Sequence, residues 1–410
     1  MSILKMFIFL SGGIKLIERT YLQELISFMN TPDIKIITWV RRCWKSKLLR
    51  AFEKYILENI PNANVITINF NLLEFQDLQE YHALNDYVEN RYIPWVQNFL
   101  LVDEVQMCKG FEYTINNLYE LEKYQIYLTW SNAFLLGSGL VTLFLWRFIE
   151  IKVFPFSFQE YMKYYESKDI DKAVDSFLVE WWLAWTYPIP QENSKRAYLL
   201  DVYNTLILRD IETKYNIRYT NLMDRLNDFL MDNIWNIVST RGIEHELGSK
   251  WYKVTHITIS KYLKYLCDAF LYYRVRRYDI KGKKYLSYQD KFYLSDLGFK
   301  YSKIWKKVLN YWRAYENLVA IELLRRWYEL YVWVLYEKEI DFVAIKQDEK
   351  LYIQVSSSID EESTFEREVA PLLKIKDANP KLLIARTKHG EQSYEGIKVI
   401  DIARWLTEKD

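Results

Sequence analysis

Short runs of Ile, Val and Leu recur in the first part of the chain, at Lys35–Thr38, Asn64–Phe70, Asn98–Asp103, Gln125–Thr129 and Phe148–Val153. They are apolar at consecutive rather than alternate positions, which fits strands buried on both faces, and helical stretches separate them. The pattern predicts a parallel α/β sheet with crossover helices. Leu48–Asn59 has helical periodicity directly after the first strand. From Glu166 to Ile217 the pattern becomes mainly helical, with a break at Pro188-Ile-Pro190.

Farther along, three helices are predicted at Leu222–Asn233, Thr240–Leu247 and Thr258–Tyr272. The last carries Ile259, Tyr262, Leu263, Leu266 and Phe270 on one face, with Thr255 or Thr258 as N-cap. Strands at Tyr273–Ile280 and Lys291–Ser295 flank a Lys281-Gly-Lys-Lys284 turn. Three helices followed by a basic hairpin make a winged helix-turn-helix pattern. An amphipathic helix at Ala314–Arg326 then leads to a hairpin, Glu339–Lys346 and Leu351–Ser357, so another α/β module closes the chain.

The first strand runs into Thr38-Trp39-Val-Arg41-Arg42-Cys43-Trp44-Lys45-Ser46-Lys47. This is a phosphate-binding loop in strand, spacing, Lys45 and Ser46, but tryptophan stands at both glycine positions. The loop needs backbone conformations and a close main-chain approach to phosphate that a side chain obstructs. Asn98–Asp103 is an apolar strand ending in Asp103-Glu104, at a distance typical of a Walker B element. Asp103 would share Mg²⁺ with Ser46, and Glu104 would orient or deprotonate the attacking water of ATP hydrolysis. Asn132, past the next strand, is placed to sense the γ-phosphate. Arg147 is a candidate cationic finger in cis or toward a neighbouring subunit, which leaves an oligomer open.

Composition bears on the two tryptophans. The chain has 410 residues with 11 Gly and 15 Trp, whereas average Gly usage of about 7% would give roughly 29. The two counts together come close to that number. Trp130, Trp181, Trp182, Trp185, Trp327 and Trp333 also sit at turns or strand ends where glycine would be ordinary. The pattern predicts that most of these are glycines in the native protein, from a codon read as Gly by the source. Trp405 fits an apolar helical position and is excepted.

The remaining bulk properties exclude more than they assign. Half the residues are hydrophobic and the net charge is +1, so the chain is neither disordered nor strongly basic. Cys43, Cys108 and Cys267 are isolated, which fits a reducing cytosol and no zinc site. Met6–Leu10 is short enough for a signal-peptide core, but a cytosolic ATP site favours a buried or spurious N-terminal extension and a cytoplasmic protein. No apolar run approaches the roughly 18 residues of a membrane span. His256 has no metal-ligand partner nearby and reads as a surface or capping residue. Arg274, Arg276, Arg277, Lys281, Lys283 and Lys284 place six cations in eleven residues, with Asp279 the only acid. Such a strip suits DNA phosphates, while the same module type also docks proteins.

Taken together, these stretches resemble prokaryotic AAA+ class P-loop ATPases that carry a C-terminal region of uncharacterised function. Phe154-Pro-Phe-Ser-Phe-Gln-Glu-Tyr161, Tyr293-Leu-Ser-Asp-Leu-Gly298 and Glu339-Ile-Asp-Phe-Val343 add to the likeness. The resemblance implies an ATPase core over 1–165, a helical lid over 166–217, a winged helix over 218–298 and a restriction-endonuclease-like α/β domain over 299–410. It also implies glycine at 39, 44, 130, 146, 312, 327 and 333. In the last domain, Glu316, Asp341 and Gln354 are similar to an acidic triad that binds Mg²⁺ for phosphodiester hydrolysis. Ser356 departs from it, because an active nuclease would carry Lys there. A degenerate core kept for folding or for DNA or protein contact is the expected reading, with an ATPase-governed nuclease as its alternative. If Trp39 and Trp44 are real, the whole chain becomes a pseudo-ATPase scaffold.

Overall fold

The computed structural model describes residues 19–39, 45–130, 144, 147–180, 183, 186–217, 219–248, 254–278, 289–303, 311–335, 338–387 and 391–408, with backbone alone at residues 39, 45, 207–210, 214, 248, 278, 311, 312, 334, 335 and 338. The chain divides into two compact units, Met1–Val153 and Phe154–Asp410. The first unit therefore ends twelve residues before the expected boundary at 165.

The N-terminal unit contains, in order, α1 (Thr20–Ser27), β1 (Ile34–Trp39), α2 (Lys45–Asn59), β2 (Asn64–Asn69), α3 (Tyr81–Glu89), β3 (Asn98–Asp103), α4 (Phe111–Glu120), β4 (Tyr124–Trp130) and β5 (Phe148–Val153). The strands form an all-parallel sheet in the order β2-β3-β4-β1-β5. Each matches a predicted apolar run. Central β3 is buried at all six positions, whereas edge strand β2 alternates buried with half-buried residues, as its single-sided coverage requires. Lys35 is the exception inside β1: its ammonium donates to Thr31 O (2.5 Å) and Gln125 Oε1 (2.8 Å). Burial pulls its pKa down to about 8.

The C-terminal unit opens with α5 (Phe158–Tyr165), whose start is fixed by a capping box between Ser157 and Glu160. It continues with α6 (Ile170–Val179), α7 (Glu192–Asn204), α8 (Thr220–Asp232), β6 (Val238–Ser239), α9 (Thr240–Gly248), α10 (His256–Asp268), β7 (Tyr272–Tyr278), β8 (Gln289–Leu294), α11 (Leu297–Lys303) and α12 (Tyr311–Arg325). The chain closes with β9 (Glu329–Leu335), β10 (Lys338–Lys346), β11 (Glu349–Ser356), α13 (Glu362–Leu373), β12 (Lys381–Ala385), β13 (Gln392–Tyr394), β14 (Ile397–Asp401) and α14 (Ile402–Thr407). The Thr255 side chain caps α10 by accepting from Thr258 N–H. That helix stops at Asp268 rather than Tyr272, because Phe270 turns left-handed and Leu271 N–H folds back to Leu266 O.

The nine strands among the described residues of this unit form one sheet, β13-β14-β12-β11-β10-β9-β7-β8-β6. The junction is a parallel pairing of β7 with β9, Arg276 opposite Tyr331 through Tyr278 opposite Trp333. The segments expected as separate modules at 218–298 and 299–410 therefore share one hydrogen-bond ladder. Had they been independent, β7 and β9 would each present an unpaired edge.

Three tryptophans occupy left-handed backbone: Trp95 (φ 69°), Trp235 (φ 83°) and Trp327 (φ 66°). This region disfavours any Cβ, and bulky residues are rare in it. Trp327 follows α12, with its N–H bonded to Leu324 O and that of Tyr328 to Leu323 O. That pair of bonds defines a Schellman motif, and its left-handed position is usually glycine. Trp95 follows Pro94, and Pro before a positive-φ residue is the pattern of a type II turn, again with glycine in second place. Phe270 adopts the same conformation after α10, so a bulky side chain is tolerated at a cost. Trp130 and Trp333 differ: both lie in strands with buried rings, against Phe111 (5.0 Å between centroids) and Tyr352 (5.6 Å). Trp405 is buried on α14, as its helical spacing predicts. Trp44, Trp146, Trp181, Trp182 and Trp185 lie outside the described residues.

Trp95 gives the cleanest test of the strain, because it is 99% exposed and has no packing to lose. Trp235, by contrast, is covered by Lys300 and Arg313, 4.7 and 4.1 Å from its ring centroid. Trp95→Gly is expected to stabilise the N-terminal unit by about 1 kcal/mol, read as a higher urea midpoint. A lower midpoint would show that the turn imposes no strain on the indole.

Candidate nucleotide site and an acidic cavity

Because the five strands of the first unit run the same way, the ends of β1, β3 and β4 lie on one edge of the sheet. The order reverses beside β1, which sits between β4 and β5, and ligands bind outside the carboxyl ends at such a point. Ser46 in the first turn of α2 and Asp103 at the end of β3 line the same cavity there, about 220 Å³, with Thr67, Asn69 and Glu74. Asp103 is 2% exposed. Its Oδ1 accepts from Thr129 Oγ1 (2.5 Å), while Oδ2 is buried with no hydrogen-bond partner among the described residues. A buried, unpaired carboxylate oxygen beside a serine hydroxyl is an oxygen donor set suited to Mg²⁺.

Thr129 ties this edge together. Besides donating to Asp103, its hydroxyl accepts from the Glu104 N–H at 2.9 Å. Glu104 is left-handed (φ 59°, ψ 48°) and its carboxylate is held by Gln106 Nε2 at 2.5 Å. The β3–β4 register, Val102 opposite Leu128, brings Thr129 beside Asp103. Sequence reasoning missed Thr129, although a hydroxyl residue ending an otherwise apolar strand was the available signal.

Other predicted residues divide. Lys45 and Lys47 lie in the first turn of α2 with Ser46. Arg41, Arg42, Cys43, Trp44 and Asn132 lie outside the described residues. Arg147 is not brought to the site: it precedes β5 at the opposite edge of the sheet, where its carbonyl accepts from Ile34 N–H. A six-residue strand separates the two edges by about 17–20 Å. Its guanidinium instead contacts Glu120 and lies 5.3 Å from the Tyr119 ring, so the expected role toward its own site is not supported.

In the second unit, Glu316 of α12, Asp341 of β10 and Gln354 of β11 do meet, lining a cavity of about 760 Å³. Lys291 of β8 joins them, at 2.8 Å from Glu316 Oε1, in contact with Glu339 Oε1 and 4.0 Å from Asp341 Oδ1. Burial opposes its charge, but Glu316, Asp341 and Glu339 outweigh burial and hold its pKa above the usual lysine value. Burial, reinforced by the charge of Glu316, pushes the Asp341 carboxyl well above the usual range. Ser356 donates to Ser358 O. A cation thus reaches these carboxylates from β8, which sequence reasoning did not foresee. A lysine directly before the apolar run Phe292-Tyr293-Leu294 was its local sign.

The basic strip is partly neutralised. Arg274 binds Asp290 through Nε (2.9 Å) and a terminal nitrogen (2.6 Å), and Arg277 donates to Gln289 Oε1 (2.8 Å). Arg276 is exposed. Lys281, Lys283 and Lys284 lie outside the described residues. His256 begins α10 with Nδ1 3.4 Å from Glu244, consistent with a surface role. No helix among the described residues is long and apolar enough to cross a membrane.

A family model described as an AAA domain matches residues 31–162, and one described as a domain of unknown function, DUF8612, matches residues 184–304. An uncharacterized protein of Haemophilus influenzae is 35% identical over 398 residues, covering 95% of this chain and 98% of that protein. An uncharacterized protein of Methanocaldococcus jannaschii is 25% identical, over 90% of this chain and 85% of its own. Among solved structures, the Aeropyrum pernix ORC1 protein in complex with DNA aligns with a TM-score of 0.32 and 10% identity, covering 68% of this chain and 90% of that one. AMPPCP-bound DnaA from Aquifex aeolicus aligns with a TM-score of 0.27 and 16% identity, covering 60% and 86%. The chain belongs to the family that the Haemophilus influenzae protein represents, with an AAA domain followed by a C-terminal region that includes a domain of unknown function.

Proposed function

We propose that this chain is an ATP-binding, Mg²⁺-dependent ATPase of the cytosol whose nucleotide state governs DNA or protein binding by its C-terminal unit. The observation that carries the reading is the unpaired Oδ2 of Asp103, a residue that lines one cavity with Ser46 at the carboxyl edge of the parallel sheet. Lys45 would place its charge against the β- and γ-phosphates, and Ser46 and Asp103 would hold the metal. Mg²⁺, when bound, neutralises charge that grows on the phosphate oxygens. Thr129 keeps Asp103 oriented with one oxygen free and fixes the backbone of Glu104, which would position or deprotonate the attacking water. Asn132 is the proposed sensor.

The reading requires glycine at 39 and 44, since main-chain N–H groups must wrap the phosphates. Left-handed backbone at Trp95, Trp235 and Trp327 supports glycine as the native residue at such positions. Indoles at 39 and 44 would instead make the chain a nucleotide-free scaffold. In the C-terminal unit, α8, α9 and α10 with the β7–β8 hairpin form our proposed winged helix. The β9–β12 strands with α12 and α13 form the proposed restriction-endonuclease-like module. The exposed Arg276 and neighbouring Arg277 favour DNA as the partner.

Two outcomes test this. Peptide masses from the native source should show Gly at 39 and 44, and Glu104→Gln should slow ATP hydrolysis on the order of 10²- to 10⁴-fold while leaving ATP affinity nearly unchanged. Trp at both positions together with no ATP binding overturns the ATPase reading. For the second unit, replacing Arg276 and Arg277 by Ala should weaken DNA binding and flatten the plot of log affinity against log salt by about 2. An unchanged slope would leave the hairpin a solvated surface.

A further inference from the structure

The acidic triad of the C-terminal unit implies a divalent cation, and its side chains do not fit one. Glu316, Glu339 and Asp341 turn toward a single buried ammonium, that of Lys291, whose side chain is 3% exposed. Tyr293 O–H donates to the same Glu316 oxygen at 2.7 Å, and Asp341 Oδ2 accepts from Val355 N–H at 2.8 Å. Mg²⁺ would require oxygens at about 2.0–2.1 Å in an octahedral shell. The focus of the carboxylates is instead filled by a tethered nitrogen, hydrogen-bonded to Glu316, in contact with Glu339 and 4.0 Å from Asp341.

We propose that Lys291 is the resident cation of this cavity, standing where a divalent ion would otherwise sit, so that the cavity keeps its acidic residues together without metal. Two independent features agree. Gln354 supplies a neutral amide where a carboxylate would strengthen cation binding; it is 8% exposed, its Nε2 donates to Glu368 (3.1 Å), and its Oε1 has no partner among the described residues. Position 356 carries serine, and among the described residues the cation paired with Glu316, Glu339 and Asp341 is the one that Lys291 brings across the sheet from β8, while Arg367, which lines the same cavity, pairs with Glu368. Two buried carboxylates, Glu316 and Asp341, with the half-buried Glu339 beside them, need compensating charge. A covalently tethered ammonium supplies it at any metal concentration. The inference does not depend on the ATPase reading.

The test is a Mn²⁺ titration of the full-length chain without nucleotide, comparing the wild type, Asp341→Asn, Lys291→Met, and Lys291→Met combined with Asp341→Asn. The wild type and Asp341→Asn should bind the same number of ions. Lys291→Met should gain one Mn²⁺ per chain, and adding Asp341→Asn should remove it. A wild-type Mn²⁺ site lost in Asp341→Asn overturns the proposal, as does a folded Lys291→Met protein with no added site. If Lys291→Met folds only when Mn²⁺ is present, the rescue supports it. If that variant folds under neither condition, the wild type and Asp341→Asn still decide: equal stoichiometry supports the proposal and a lost site defeats it.

Discussion

Everything proposed for the first unit depends on its strands all running one way. Parallel pairing puts the carboxyl ends of β1, β3 and β4 on a common edge, so residues far apart in sequence share one cavity without any loop having to reach. Thr129 converts that alignment into fixed chemistry. Its single hydroxyl satisfies one Asp103 oxygen and the Glu104 N–H, leaving the other Asp103 oxygen as the unpaired acceptor. Leaving such a group unpaired inside a protein costs about 1–3 kcal/mol, and a cost of this kind at one edge of the sheet marks where a ligand is wanted. The same geometry keeps Arg147 away from the site of its own chain, because parallel pairing sends it to the opposite end of the strands.

The strands were legible as short apolar runs separated by helical stretches; β3 and β5 match their predicted bounds, and the Asp103-Glu104 pair announced the site. What could not be read was long-range pairing. Nothing local in Arg276-Arg277-Tyr278 signals a parallel partner at Tyr331–Trp333, so the hairpin looked like the end of a module. Lys291 was hidden for the same reason: its meaning comes from carboxylates on α12 and β10, more than twenty residues away. The end of α10 was misplaced for a local reason, since apolar periodicity continued through Phe270 although the backbone had already turned.

The tryptophans illustrate how composition and conformation bear on one question from different sides. A low Gly count and high Trp count say that substitution is widespread, but not where. Backbone dihedrals say where a Cβ is strained. They single out Trp327 at a helix terminus, which the resemblance had marked, and Trp95 and Trp235, which it had not. They are silent on Trp130 and Trp333, whose extended backbone suits any residue and whose rings are packed. Strain therefore identifies a subset of the positions, not the whole set.

Lys291 also explains why the second unit is one body. A buried carboxylate cluster is unstable until its charge is compensated, and removing one member of a buried ion pair typically costs about 3–5 kcal/mol. Here the compensating ammonium belongs to β8, the returning strand of the hairpin, while the carboxylates belong to α12 and β10. The cluster cannot settle until the hairpin is in place. The hairpin, in turn, is bonded to β9 along its other strand. Two interactions of different kinds, a backbone ladder and a buried ion cluster, thus fasten the same two segments, so neither is expected to fold to this geometry without the other.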